Sequence, residues 1–255
     1  MCRIDCLHAT FRESEAGAMQ TREYRIPCGT QTLACSVDYA RGSPEPSIIS
    51  IHGGGPSSRR TTEYLGARFQ AAGKSVIRFD HSGQGESSGD LLRSSLQTRL
   101  SEALCVCAYF GLSDHTTVIG TSMGGHVASA LVREISVDSL ILFCPAAYSA
   151  RAWDVEFGGG FTGIIRSPES YRETNIRELL GEFAGTALLV TGAEDAIIPP
   201  EVTRLYHVAF SGCKRFEMHF IPDCPHPIHR WVLNREEVRR ELEDRVLKFH
   251  LTDWP

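Results

Sequence analysis

The sequence predicts an α/β architecture, a mostly parallel central sheet flanked by helices. Two observations predict it: short β-branched runs recur along the chain, and amphipathic helical patterns lie between them. The runs fall at residues 47–51, 76–79, 117–119, 140–143, 187–190 and 218–221. Their near-continuous apolar character suits strands buried on both faces of a parallel sheet, which needs right-handed crossovers of the kind the helical patterns supply.

Each element follows from its own residues. Residues 24–26 and 33–39 flank a Gly-containing turn and read as an antiparallel hairpin at the sheet edge. After the 47–51 strand, Leu65, Phe69 and Ala72 share one helix face; after the 76–79 strand, Leu96, Leu100, Ala103, Leu104 and Cys107 share another. A helical run over 125–132 follows the 117–119 strand. Residues 151–186 then separate two strands by more than a simple crossover needs. They hold Trp153, Phe157, three consecutive glycines, Phe161 and a helical stretch over 171–183, and read as a small lid insertion. Val238, Leu242, Val246 and Phe249 form the apolar stripe of a closing helix. Residues 19–255 are thus expected to form one domain, with no clear pattern over 1–18 and no internal repeats.

Composition narrows the function. The chain has 255 residues, 42% hydrophobic and 22% charged, a globular balance rather than a disordered one. Its net charge is −5, from 26 Lys+Arg against 31 Asp+Glu, with no basic block, which argues against nucleic acid as a partner. No apolar run reaches the roughly 18 residues of a membrane span. Nine irregularly spaced cysteines and no signal-peptide pattern predict reduced thiols and a cytoplasmic location. Cys2, Cys6 and His8 lack the second ligand pair of a zinc site, so no metal is expected there.

Chemistry concentrates in two glycine-rich loops. Gly120-Thr121-Ser122-Met123-Gly124 lies directly between a strand and a helix, with Ser122 at the apex of a turn that only small neighbours allow. The helix N-terminus behind it offers free N–H groups and partial positive charge, which favour an oxyanion. His52-Gly53-Gly54-Gly55-Pro56 follows the 47–51 strand, and its amides can join the N–H of Met123 as oxyanion donors, with Gly54 favoured. His52, Gly53 and Gly55 are further candidates for touching substrate, although His52 suits loop shaping better than catalysis. The three glycines lack a downstream Gly-Lys-Ser/Thr, so no phosphate loop and no cofactor is implied.

The stretch Phe79-Asp80-His81-Ser82-Gly83-Gln84-Gly85-Glu86-Ser87 resembles the D-x-x-G-x-G-x-S signature of α/β hydrolases. With the H-G-G-G loop before it and the Ser122 turn after it, three motifs stand in that family's order over about residues 22–250. The resemblance is to the small-lidded branch containing monoglyceride lipases, cinnamoyl-type esterases and serine aminopeptidase-like hydrolases. It implies a Ser, acid, His order. Residues 191–199 resemble the family's acid loop, which assigns Asp195, with Glu194 as competitor one residue early. Residues 221–226 resemble its histidine stretch, with Asp223 where Gly is common, and assign His226 as base; His229 is the alternative and His219 is structural. A metal site on His226 and His229 would lack other ligands.

These implications point to a serine hydrolase that cleaves a small-molecule carboxylic ester or thioester through an acyl-enzyme. Trp153, Phe157 and Phe161 suit either an aromatic or apolar substrate group or the anchoring of the lid. An aminopeptidase would need an anionic pocket, for which Glu156, Glu169 and Glu173 are available. Acyltransferases, lyases, cyclisation enzymes and ligand-binding proteins also use the fold. Nothing in the sequence indicates an oligomeric state.

Overall fold

Alternate residues of each buried run leave the backbone on opposite faces, so a strand such as residues 140–143 sends Leu140 and Leu142 to one layer and Ile141 and Phe143 to the other. The computed structural model describes residues 20–42 and 45–251. The N-terminal stretch expected to lack pattern, with Cys2, Cys6 and His8, lies outside the described residues.

The strands are β1 (Gln20–Cys28), β2 (Gln31–Tyr39), β3 (Ile48–Ile51), β4 (Val76–Phe79), β5 (Thr116–Thr121), β6 (Val137–Phe143), β7 (Thr186–Gly192) and β8 (Arg215–Ile221). They form one eight-stranded sheet in the order β1-β2-β4-β3-β5-β6-β7-β8. The β1–β2 hairpin is antiparallel, β2 joins β4 antiparallel, and every pair from β4 to β8 is parallel.

The helices are α1 (Glu63–Ala71), α2 (Leu96–Tyr109), α3 (Met123–Leu131), α4 (Thr162–Ile165), α5 (Ile176–Leu180), α6 (Pro200–Ala209), α7 (Ile228–Val232) and α8 (Glu236–Leu251). Leu65 and Phe69 of α1 and Val246 and Phe249 of α8 close one face of the sheet. Leu96 and Leu100 of α2, Val127 and Leu131 of α3 and Tyr206 of α6 close the other. Ser95 caps α2, its hydroxyl accepting from the Thr98 N–H at 3.1 Å. No helix among the described residues is long and apolar enough to cross a membrane, and the seven described cysteines are free thiols.

One expectation needs correction. The 218–221 run was expected to be buried on both faces, yet only Ile221 of β8 is buried and Phe220 is 53% exposed. β8 is the sheet's last strand and has a neighbour only in β7, so Phe216 and Met218 are half-buried against the core, Phe216 beside His207 and Phe210, and Phe220 is left exposed.

The order places β3 between β4 and β5, with Ile51 beside Gly120. The loop after β3 and the turn after β5 therefore leave neighbouring strands at their C-terminal ends, where an open α/β sheet forms its crevice. The loops after β7 and β8 emerge at the same end, with Gly192 paired to Ile221.

Candidate active site

Ser122 sits between β5 and α3 with φ 51° and ψ −115°, a conformation that L-residues avoid. Its surroundings hold it there. Its N–H donates to Phe143 O at 2.8 Å, and its carbonyl accepts from the N–H groups of Gly125 (2.9 Å) and Ala146 (3.0 Å). The flanking glycines are required by contact: a Cβ at Gly124 would lie 2.3 Å from Ile51 O, and one at Gly120 would lie 2.8 Å from the Ala128 Cβ. The turn presents the Ser122 hydroxyl 3.0 Å from His226 Nε2.

His226 Nδ1 lies 2.8 Å from Asp195 Oδ2. The other carboxylate oxygen, Oδ1, accepts from the Ile197 and Ile198 N–H groups at 2.8 and 3.0 Å. Burial works to raise the Asp195 pKa, but the hydrogen bonds from His226 and from those two amides outweigh it and hold the carboxyl below its ordinary range. Asp195 thus stays ionised and sets His226 with its proton on Nδ1 and its Nε2 lone pair toward Ser122. Glu194 is exposed and donates its N–H to Cys224 O at 2.9 Å. Asp223, where the family has Gly, adopts φ 55°. A left-handed residue is needed there, and Asp tolerates that region better than most.

Two neighbours of this chain of contacts lack a clear sequence signal. The buried Cys144 thiol stands close to the Asp195 carboxylate; burial, then the Asp195 charge, pushes its pKa up, so it remains a neutral donor. One ligating atom from each of Cys144, Asp195 and His226 falls within 4.8 Å of the others. Farther out, Arg59 pairs with the fully buried Asp80 and reaches Glu23 (3.2 Å) and Glu86 (3.0 Å). Asp80 also accepts from the N–H of Arg59 (2.6 Å) and of Glu86 (2.9 Å), which ties the loop after β3 to the loop after β4. Asp80 therefore shapes loops.

The histidine alternatives separate cleanly. His229 is buried, its Nε2 2.8 Å from Thr121 Oγ1 and its Nδ1 2.9 Å from the Tyr64 hydroxyl, and burial lowers its pKa to about 3. With both nitrogens occupied it is neither a base for Ser122 nor a metal ligand beside His226. His219 lies within β8, half-buried, with its pKa lowered by burial.

In the loop after β3, His52 donates from Nδ1 to Gly53 O (2.8 Å), and its Nε2 accepts the His81 N–H (3.2 Å). The ring is 2% exposed with both nitrogens spent, so it shapes the loop and presents no surface to a substrate. Gly53 and Gly54 abut the turn: a Cβ on Gly53 would lie 3.4 Å from the Ser122 Cβ, and one on Gly54 would meet the Met123 side chain at 3.0 Å. The Gly54 N–H has no acceptor among the described residues. Met123 opens α3, so its N–H has no intrahelical partner. Gly55 is exposed, with φ 62°.

The insertion after β6 packs its aromatics inward. Phe161 is buried against Tyr148 (ring centroids 5.5 Å) and Phe157 (4.7 Å), so it anchors the insertion and offers no exposed wall to a ligand. Trp153 is half-buried on His126 of α3 (5.7 Å) and donates its indole N–H to Gln97 at 2.5 Å. Phe157 is half-buried too. Glu156, Glu169 and Glu173 are exposed and paired with Arg93, Arg172 and Arg151, so they form no anionic pocket.

His52, His81, His126 and His229 are all buried, and burial is the largest cause holding each below its ordinary pKa, His126 at about 4. The unfolded chain protonates them near pH 6.5 while the native state resists. Their stabilising contribution is therefore complete above pH 6.5 and is lost as pH falls through the folded-state values, about 4 for His126 and about 3 for His229. The slope is at most about 1.4 kcal/mol per pH unit for each histidine. Urea unfolding at pH 7, 6 and 5 should show steeply falling stability, with a shallower slope in His229→Gln; a flat profile contradicts this.

Residues 42–162 match the family described as serine aminopeptidase, S33. The match takes in both glycine loops and ends before Asp195 and His226. No curated protein matches the chain by sequence. Among solved structures, Est1E from Butyrivibrio proteoclasticus with bound ferulic acid is 21% identical with a TM-score of 0.66, over 88% of this chain and 99% of that one. The esterase EaEST from Exiguobacterium antarcticum is 18% identical with a TM-score of 0.66, over 89% and 98%. The 2-hydroxy-6-oxo-6-phenylhexa-2,4-dienoate hydrolase of Rhodococcus sp. strain RHA1 is 20% identical with a TM-score of 0.62, over 91% and 100%. What is shared at these identities is the fold.

Proposed function

Because this chain has the α/β-hydrolase fold, we propose that it is a serine hydrolase acting on a carboxylic ester or thioester, with Ser122 as nucleophile, His226 as base and Asp195 as its orienting acid. The observation that carries the reading is the unbroken hydrogen-bond path from Ser122 Oγ through the His226 ring to Asp195, at 3.0 and 2.8 Å. A serine hydroxyl is a weak nucleophile until a base takes its proton during attack.

In this mechanism Ser122 Oγ bonds to the substrate carbonyl carbon while its proton passes to His226 Nε2. The carbonyl electrons move onto oxygen, and the N–H groups of Gly54 and Met123 receive the oxyanion. On collapse, His226 returns the proton to the leaving alcohol or thiol and the acyl group stays on Ser122. Water then attacks with His226 again as base, releasing the acid and restoring the hydroxyl. Each oxyanion donor is worth roughly 3 kcal/mol of barrier.

For the substrate group, Est1E, of the same fold, holds ferulic acid, an aromatic carboxylic acid, which supports an aromatic acyl group. A peptidase that reads a substrate amine finds no support in Glu156, Glu169 or Glu173, which arginines already neutralise.

The test is hydrolysis of p-nitrophenyl acetate, butyrate and octanoate and of one acyl-CoA, alongside fluorophosphonate labelling mapped by peptide mass. Turnover is expected, with the label on the peptide that contains Ser122. A folded protein that neither turns over these substrates nor takes the label refutes the reading.

A further inference from the structure

Arg99 is fully buried on α2 beneath the oxyanion loop, without a carboxylate at salt-bridge distance among the described residues. The neighbouring buried carboxylate, Glu102, is occupied: it accepts from His81 Nδ1 at 2.7 Å and from the Ser82 N–H at 3.2 Å. His81 Nε2 is buried without a partner, which fits a neutral ring with its proton on Nδ1. Arg99 instead directs its two terminal nitrogens at the loop, while its Nε is buried without a partner among the described residues. One terminal nitrogen donates to Gly53 O at 3.2 Å and the other to the Gln84 side-chain oxygen. Gln84 in turn donates to Gly55 O (2.7 Å) and Ser57 O (3.2 Å). The Phe157 ring of the insertion lies 5.1 Å from the guanidinium. A buried cation held by neutral acceptors adds little to stability against the cost of its desolvation.

We propose that Arg99, with Gln84, is the positioning residue of the oxyanion loop: by holding the Gly53 carbonyl toward the core it turns the Gly54 N–H, the other end of the same peptide unit, toward the reacting oxygen. In a trans peptide the C=O and N–H point in opposite directions, so fixing one aims the other. Arg99 and His52 both donate to Gly53 O, from the buried side of the loop. A charged donor on that carbonyl also polarises the peptide and makes Gly54 a stronger donor. Burial lowers the Arg99 pKa to about 10, which leaves it cationic at neutral pH.

The inference rests on the reading of Ser122 as nucleophile, and its test separates the two. The wild type, Arg99→Met, Arg99→Lys and Gln84→Met are compared by steady-state hydrolysis of p-nitrophenyl butyrate, normalised to sites titrated with a fluorophosphonate. Inhibition by a trifluoromethyl ketone, which forms a tetrahedral oxyanion on serine, and the 15N-amide resonances of Gly54 and Met123 complete the set. In Arg99→Met we expect kcat per titrated site to fall roughly 100-fold with little change in KM. The ketone should weaken by a similar factor and the Gly54 resonance should move while Met123 stays. Arg99→Lys should recover part of the loss. Unchanged kcat per site, or a change confined to KM, overturns the proposal. Should Arg99→Met fail to fold, Arg99→Lys and Gln84→Met carry the same readouts. If the wild type neither titrates nor turns over, the serine-hydrolase reading has failed; an unmoved Gly54 resonance overturns the positioning role in either case.

Discussion

Ser122→Gly is expected to abolish ester turnover and to leave the protein more stable than Ser122→Ala does. Loss of the nucleophile removes the acyl-enzyme route, a fall in kcat of about 10⁴-fold or more. The stability gain comes from the backbone. At φ 51° and ψ −115°, Ser122 occupies the mirror image of the ordinary extended region, which costs a residue with a Cβ on the order of 1–3 kcal/mol and costs glycine little. Glycine's greater freedom in the unfolded chain returns about 0.4–1 kcal/mol of this, so the net gain over alanine should be about 1 kcal/mol. Ser122→Ala loses the same hydroxyl and the same bond to His226 yet keeps the strain, which makes it the reference. Both variants should be inactive, and urea midpoints should rank Gly above Ala. Full activity in either removes Ser122 as nucleophile, and equal midpoints remove the strain argument.

His226→Ala should lower kcat by several orders of magnitude, on the order of 10³–10⁶-fold, because Ser122 then keeps its proton during attack. His229→Ala should behave oppositely. It removes a ring bonded to Tyr64 and Thr121, leaves buried groups without partners and costs about 1–3 kcal/mol of stability, with kcat within about tenfold of the wild type. The two histidines stand three residues apart, so measuring kcat and urea midpoint on both variants separates chemistry from support. A larger loss of kcat in His229→Ala would move the base.

Much of this was legible in the sequence because the informative residues are neighbours along the chain. A buried strand announces itself as an apolar run, and the serine turn carries its own strand, glycines and helix. Asp195 and His226 follow their strands closely, so local resemblance singles them out, and the fold sets both in hydrogen-bond contact in line with Ser122. What sequence could not give depends on distant partners. The β8 run looks like a core strand, and only the strand order makes it an edge. Phe161 reads equally well as pocket or anchor until Tyr148 is seen against it. Arg99 left one trace: it falls on the apolar stripe of Leu96, Leu100, Ala103 and Cys107, where a cation is out of place. Its acceptor, Gly53, is 46 positions away, and no spacing rule connects them.

The ion-pair network around Asp80 has a consequence for ionic strength. Its inner members are nearly dry, Arg59 4% and Asp80 0% exposed, whereas Arg25, Glu23 and Glu86 on its rim are 56%, 62% and 44% exposed. Dissolved salt screens charges it can surround, over a Debye length of about 8 Å at 0.15 M, and reaches a desolvated pair far less. Added salt will weaken the rim contacts while the Arg59–Asp80 pair keeps the loops after β3 and β4 joined. A salt series on this protein therefore loosens the rim of the network while the buried pair beneath the loop after β3 stays in place.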